Sequence, residues 1–123
     1  ILARISAYAT GATAPEDLFF APIRAVRNLM EKQGTEIGDY DLIEANEAFA
    51  AQALANGEGL DWDWERVNVH GGAIALGHPI GASGARVLTT LLYAMKDRDA
   101  ETGLATLCLG GGDAVALSVE RVA

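Results

Sequence analysis

Two apolar runs, Leu104–Leu109 and Ala114–Val119, are joined by Gly110-Gly111-Gly112-Asp113. Apolar runs of that length around a glycine cluster read as a β-hairpin. Upstream, strand and helix patterns alternate. Leu2–Thr10 reads as a strand ended by Gly11, and residues 11–20 as a polar and aromatic loop. Pro22 suits the first turn of a helix, where its missing N–H costs nothing. Ile23, Val26 and Met30 then recur at helical spacing, with Leu29 widening the stripe, until Gly34 closes the helix. Asp41–Ala45 reads as a short strand, Glu47–Asn56 as an Ala-rich helix reaching Gly57, and Val67–Val69 as another short strand. A glycine-dense loop follows, ending near Gly84. Val87, Leu88, Leu91, Leu92 and Met95 then form the apolar face of a long helix, with Lys96–Asp99 at its exposed end. Alternation followed by a hairpin implies an α/β domain, a mixed sheet with helices packed on it.

A length of 123 residues suits a single domain spanning residues 1–123. Hydrophobic residues make up 50% and charged residues 21%, which makes intrinsic disorder a poor reading. Lys and Arg total 9 against 17 for Asp and Glu, a net charge of -8. That balance argues against nucleic acid or an anionic membrane as partners. It leaves open a small anionic ligand held by backbone amides. One Cys cannot form an internal disulfide, so a reducing compartment, the cytoplasm, is expected. No apolar run approaches a membrane span in length. The chain opens at Ile1-Leu2-Ala3-Arg4-Ile5, already inside a strand and without Met, which suggests a piece of a longer polypeptide.

Three segments carry chemistry. Asn46-Glu47-Ala48-Phe49-Ala50 lies at a strand end and a helix start. There Asn46 reads as an N-cap and Glu47 as a first-turn acid suited to the helix dipole. Asn46 also sits where ligands of α/β sheets gather. The second segment runs from Gly71 to Gly84 and contains Gly71, Gly72, Gly77, Gly81 and Gly84. It has neither the dinucleotide glycine spacing nor the Lys of a phosphate-cradling loop. Its glycines and Pro79 frame His78 as a positioned imidazole, whereas His70, which follows a short strand, reads as structural. In the third, Cys108 ends an apolar strand before three glycines. A buried inert Cys is the plain reading. The alternative is a thiol beside glycine N–H groups free to face an oxyanion.

Taken together, Asn46–Ala50, Asn68–Arg86 and Cys108–Gly112 resemble the three active-site segments of the C-terminal domain of thiolases, the acetyl-CoA acetyltransferases and 3-ketoacyl-CoA thiolases. The order and spacing of the three agree, and the resemblance covers almost the whole chain. It implies a βαβαβαββ half that packs against a similar N-terminal half carrying the acyl-accepting Cys. It implies acyl-CoA and coenzyme A as substrates, no bound cofactor or metal, and a homodimer or homotetramer for the full-length enzyme. By the same resemblance His78 activates the nucleophilic Cys and donates toward the thioester oxygen. Asn46 holds a water in that oxyanion hole, and Cys108 is the second catalytic Cys, acid and base at the substrate α-carbon. The Gly110 N–H belongs to a second oxyanion hole, and Phe49 and Ala48 belong to the substrate-binding wall.

Leu18-Phe19-Phe20-Ala21-Pro22 departs from a glycine-rich stretch common in biosynthetic thiolases. Leu107 stands for a common Met, and Asp113-Ala114 for a common polar-Gly pair. These departures bear on acyl-chain preference. Two rival readings belong to another class: a non-catalytic acyl-CoA or lipid-binding member of the superfamily, and a dimerisation module. Retention of both His78 and Cys108 favours the enzyme.

Overall fold

The computed structural model describes residues 1–122 and is built around the hairpin. Strand β3 (Thr102–Leu109) pairs antiparallel with β4 (Asp113–Arg121), with Leu109 opposite Asp113 at the turn. β1 (Ala3–Ala12) runs antiparallel along the other edge of β4, with a register shift between Ile5 and Ala7. β2 (Leu42–Ala45) is parallel to β3. The order β1-β4-β3-β2 is the mixed sheet expected from the alternation and the hairpin.

Helices cover both faces. α1 (Ala21–Gln33) buries Ala25, Val26 and Leu29 against Ile43, Leu104, Ala114 and Ala116. α4 (Ser83–Asp97) buries Val87, Leu91 and Met95 against Leu42, Ala105 and Val119. Both apolar stripes are those read at helical spacing. α1 ends at Gly34, which has φ +69° and returns its N–H to the Met30 carbonyl. The remaining helices are α2 (Ala50–Leu60) and the single turn α3 (Ala73–Leu76).

Four local expectations change. Residues 15–20 form a 3-10 turn rather than an open loop. α2 starts at Ala50, later than expected, and continues through Gly57 to Leu60. Packing overrides the glycine stop: a Cβ on Gly57 would lie 2.2 Å from the Trp64 ring and 2.7 Å from Trp62 Nε1. The helix therefore needs the missing side chain to seat two indoles. The short strand expected at Val67–Val69 shrinks to one bridge between Val67 and Ile43. At Asn68 the backbone turns to φ +49°, and the side chain takes over the pairing. Asn68 Oδ1 accepts from the Ala45 N–H, and Nδ2 donates to the Ala45 carbonyl, both at 2.9 Å.

β1 also runs past Gly11 instead of ending there. A Cβ on Gly11 would lie 2.4 Å from the Ala25 backbone nitrogen, so α1 rests directly on this strand. Gly11→Ala is expected to destabilise the chain by about 1–3 kcal/mol, the range for overpacking. Gly38→Ala, whose added methyl meets nothing within 4 Å, should stay within about 0.5 kcal/mol of the parent. Chemical denaturation of both variants checks the contrast, and equal effects would contradict the close approach.

Candidate active site

The carboxyl ends of β2 and β3 and the start of α4 open on the same side of the sheet, where ligands of such sheets bind. A cavity of about 430 Å³ lies there, walled by Leu18, Phe19, Ala48, Phe49, His78, Ile80, Ser83, Gly84, Val115 and Leu107–Gly110. Five of the six residues singled out from sequence therefore share one mostly apolar cavity: His78, Cys108, Gly110, Phe49 and Ala48. Asn46 does not line it; it is 1% exposed and lies deeper. His70 is outside it, with Nε2 3.7 Å from Asp97 Oδ2 on the surface.

Asn46 is not the N-cap of α2, and Glu47 is not in its first turn, because the helix begins four residues after Asn46. The Asn46 N–H instead extends the β2 ladder, donating to the Thr106 carbonyl at 3.0 Å. Glu47 is a brace for the glycine loop. Its carboxylate accepts from the Ile74 N–H at 3.0 Å and from Asn68 Nδ2 at 3.3 Å. Gly72 lies flush against that carboxylate, where a Cβ would come within 2.3–2.5 Å of its atoms. The capping work falls to Gln52, whose Oε1 accepts from the Ala48 N–H at 3.0 Å and the Phe49 N–H at 3.4 Å. Gln52 Nε2 donates to Asn56 Oδ1, and Asn56 Nδ2 donates to the Phe19 carbonyl at 2.6 Å. This buried amide chain ties together the two aromatic walls, Phe19 and Phe49, whose ring centres are 5.2 Å apart.

His78 follows Gly77, which adopts φ +98°, a conformation side chains rarely take. Its Nδ1 lies 2.6 Å from Ser83 Oγ, and Ser83 Oγ donates to the Pro79 carbonyl at 3.1 Å. With its one proton directed at the Pro79 carbonyl, Ser83 Oγ is placed to accept from Nδ1–H. The neutral ring then carries its lone pair on Nε2. Ser83 was not among the residues singled out from sequence. Its signal is a hydroxyl at the first position of the helix after the loop, five residues beyond His78 and 1% exposed.

Cys108 is half-buried, and burial pushes its thiol up from the usual range, against a smaller downward pull from a backbone N–H. At neutral pH the group is S–H, a proton donor at rest. The Gly110 N–H, at the exposed turn, has no acceptor among the described residues. Behind the cavity, Glu44 is 1% exposed. Burial raises its carboxyl to about 7, with Arg86 pulling it down and Glu47 pushing it up. Among the described residues no three His, Cys, Asp or Glu side chains are grouped to hold a metal ion. No helix among them is long and apolar enough to cross a membrane.

The family model for the thiolase C-terminal domain matches residues 1–121. The acetyl-CoA acetyltransferase of Paracoccus denitrificans is 59% identical over 120 residues, covering 98% of this chain and 31% of that protein. That of Escherichia coli K12 is 57% identical over 121 residues, with the same coverage. Among solved structures, Bacillus anthracis acetyl-CoA acetyltransferase superposes with a TM-score of 0.96 at 46% identity, covering 98% of this chain and 31% of that one. Human mitochondrial 3-ketoacyl-CoA thiolase superposes at 0.94 with 38% identity, covering 98% and 30%. The chain thus spans about a third of the length of these relatives.

The Ser83 contact generates a test independent of turnover. In the parent chain, nitrogen-15 NMR of the imidazole is expected to show the neutral His78 ring protonated at Nδ1. In Ser83→Ala the ring should become a mixture of tautomers. An unchanged Nδ1–H ring in the variant would contradict the anchor.

Proposed function

Because the chain belongs to the thiolase family through its C-terminal domain, we propose that it supplies the acid–base and oxyanion half of a thiolase active site. The reaction is acyl transfer between coenzyme A and an enzyme Cys, coupled to Claisen condensation or thiolytic cleavage of a 3-ketoacyl-CoA. The acyl-accepting Cys belongs to an N-terminal half outside these residues. The observation that carries this reading is the convergence of His78, Cys108 and Gly110 on one apolar cavity.

Each side chain has a chemical task that suits its state. His78, anchored at Nδ1, presents an Nε2 lone pair that takes the proton from the nucleophilic thiol. The resulting Nε2–H donates toward the thioester oxygen as enolate charge develops there. Cys108 begins as a thiol, gives its proton to the leaving thiolate, and as thiolate takes an α-proton from the incoming acetyl group. The Gly110 N–H is free for the oxygen of the acyl group under attack, a contribution of about 2.7–4 kcal/mol where such donors have been removed. Asn46 Nδ2 is buried without a partner among the described residues, which suits a donor kept for a water at the first oxyanion. Phe49 and Ala48 line the cavity as the wall for the acyl or pantetheine portion.

Ile74, Leu76, Ile80, Phe49 and Leu109 are exposed around the same loops, at 64%, 59%, 85%, 59% and 44%. That apolar rim suits the N-terminal half as the covering partner. A homodimer or homotetramer in the cytoplasm is the expected setting. A non-catalytic acyl-CoA-binding role would need the cavity but not an anchored imidazole and a thiol on its walls.

In the full-length protein, His78→Ala should keep a near-normal melting temperature and lose about a hundredfold or more in turnover. His70→Ala should lose far less. Cys108→Ala should still accumulate the acyl-enzyme, seen by mass spectrometry, while carbon–carbon bond formation stops. Similar activity in the two His variants, or normal condensation by Cys108→Ala, would overturn these assignments.

A further inference from the structure

We propose that the buried Glu44 and the half-buried Arg86 form a positioning pair that fixes the orientation of the Asn46 carboxamide. The inference rests on the reading of Asn46 as an oxyanion-hole residue. Glu44 and Asn46 are two residues apart at the end of β2, so both point to the face covered by α4. Their neighbours Ile43 and Ala45 join the core on the α1 side. Arg86, in the first turn of α4, reaches both. Its Nη1 lies 3.7 Å from Glu44 Oε2, and its Nη2 donates to Asn46 Oδ1 at 3.5 Å.

A guanidinium has donors only. Asn46 must therefore present its oxygen to Arg86, which turns Nδ2 to the opposite side. Nδ2 is buried there without a partner among the described residues. An amide left so is costly unless a water or ligand takes it. Both Glu44 oxygens and Arg86 Nε are likewise buried and free of hydrogen bonds. Four unpartnered polar atoms around one ion pair make a polar pocket suited to ordered water.

Glu44 gives this arrangement its stability. The Arg86 side chain is 20% exposed, so solvent competes for it. When ionised, the buried Glu44 carboxylate holds the guanidinium inward, and a second brace comes from Thr90 Oγ1, which accepts from Nη1 at 3.4 Å. Neither Glu44 nor Arg86 lines the cavity, so both act through Asn46.

The test is a double-mutant cycle in the full-length enzyme, following acetoacetyl-CoA cleavage. Arg86→Lys keeps a cation beside Glu44 but loses the planar fork. It is expected to lower kcat by about tenfold, the scale of outer-shell partners, with KM changed less than about twofold. Glu44→Gln should behave the same way. In an Asn46→Ala background either change should cost less than about twofold, because the group being positioned is gone. Thermal midpoints of all variants are followed together, and Arg86→Lys keeps the test open should larger changes fail to fold. Equal losses with and without Asn46, or no loss in either single variant, would overturn the proposal. If Asn46→Ala itself retains full kcat, the reading of Asn46 falls and the positioning role falls with it. If Asn46→Ala is impaired and the pair's variants are not, only the positioning role falls.

Discussion

The first turn of α4 anchors two of the side chains on which the site depends. Ser83 Oγ lies 2.6 Å from His78 Nδ1, and Arg86, one turn on, donates to Asn46 at 3.5 Å. The helix is itself fixed by Val87, Leu91 and Met95, which are buried in the sheet face formed by β2 and β3. A shift of α4 would therefore move the imidazole and the carboxamide together, while Cys108 stayed with β3. Site geometry here is a matter of how one helix seats on two parallel strands.

Polar groups buried behind an apolar cavity are expensive unless paired. The chain handles this with three separate devices. Gln52 and Asn56 form a satisfied amide chain under the aromatic wall. Glu47 and Asn68 brace the glycine loop. The Glu44, Arg86 and Asn46 group is different, because it leaves polar atoms unpartnered.

Much of the fold was legible because periodicity and burial agree. The α1 and α4 stripes, Gly34 as a helix stop and the terminal hairpin all follow from local pattern. The failures are equally physical. Gly57 reads as a stop, but two tryptophans need its vacant space, and nothing local announces that contact. Val67–Val69 reads as a strand, but the Asn68 side chain substitutes for backbone pairing. Asn46 and Glu47 read as helix-start residues, yet the helix starts later and Gln52 does the capping. At the site, His78 and Cys108 stand out in the sequence through their glycine neighbours and the family resemblance together, and both line one cavity. Ser83, Glu44 and Arg86 do not stand out, because their roles come from contacts between α4, β2 and the loop that spacing along the chain does not encode.

We propose that this cavity receives both acetyl groups, with His78 addressing the thioester oxygen of acetyl-CoA and Gly110 the oxygen of the acyl-enzyme. The most direct measurement is a crystal structure of the full-length protein with acetyl-CoA bound to the acyl-enzyme. The thioester oxygen of the bound acetyl-CoA should lie within hydrogen-bond reach of His78 Nε2, and the acyl-enzyme oxygen within reach of the Gly110 N–H. Its methyl carbon should face the Cys108 sulfur. An acetyl group seated outside the cavity, or turned with its methyl away from Cys108, would contradict the account.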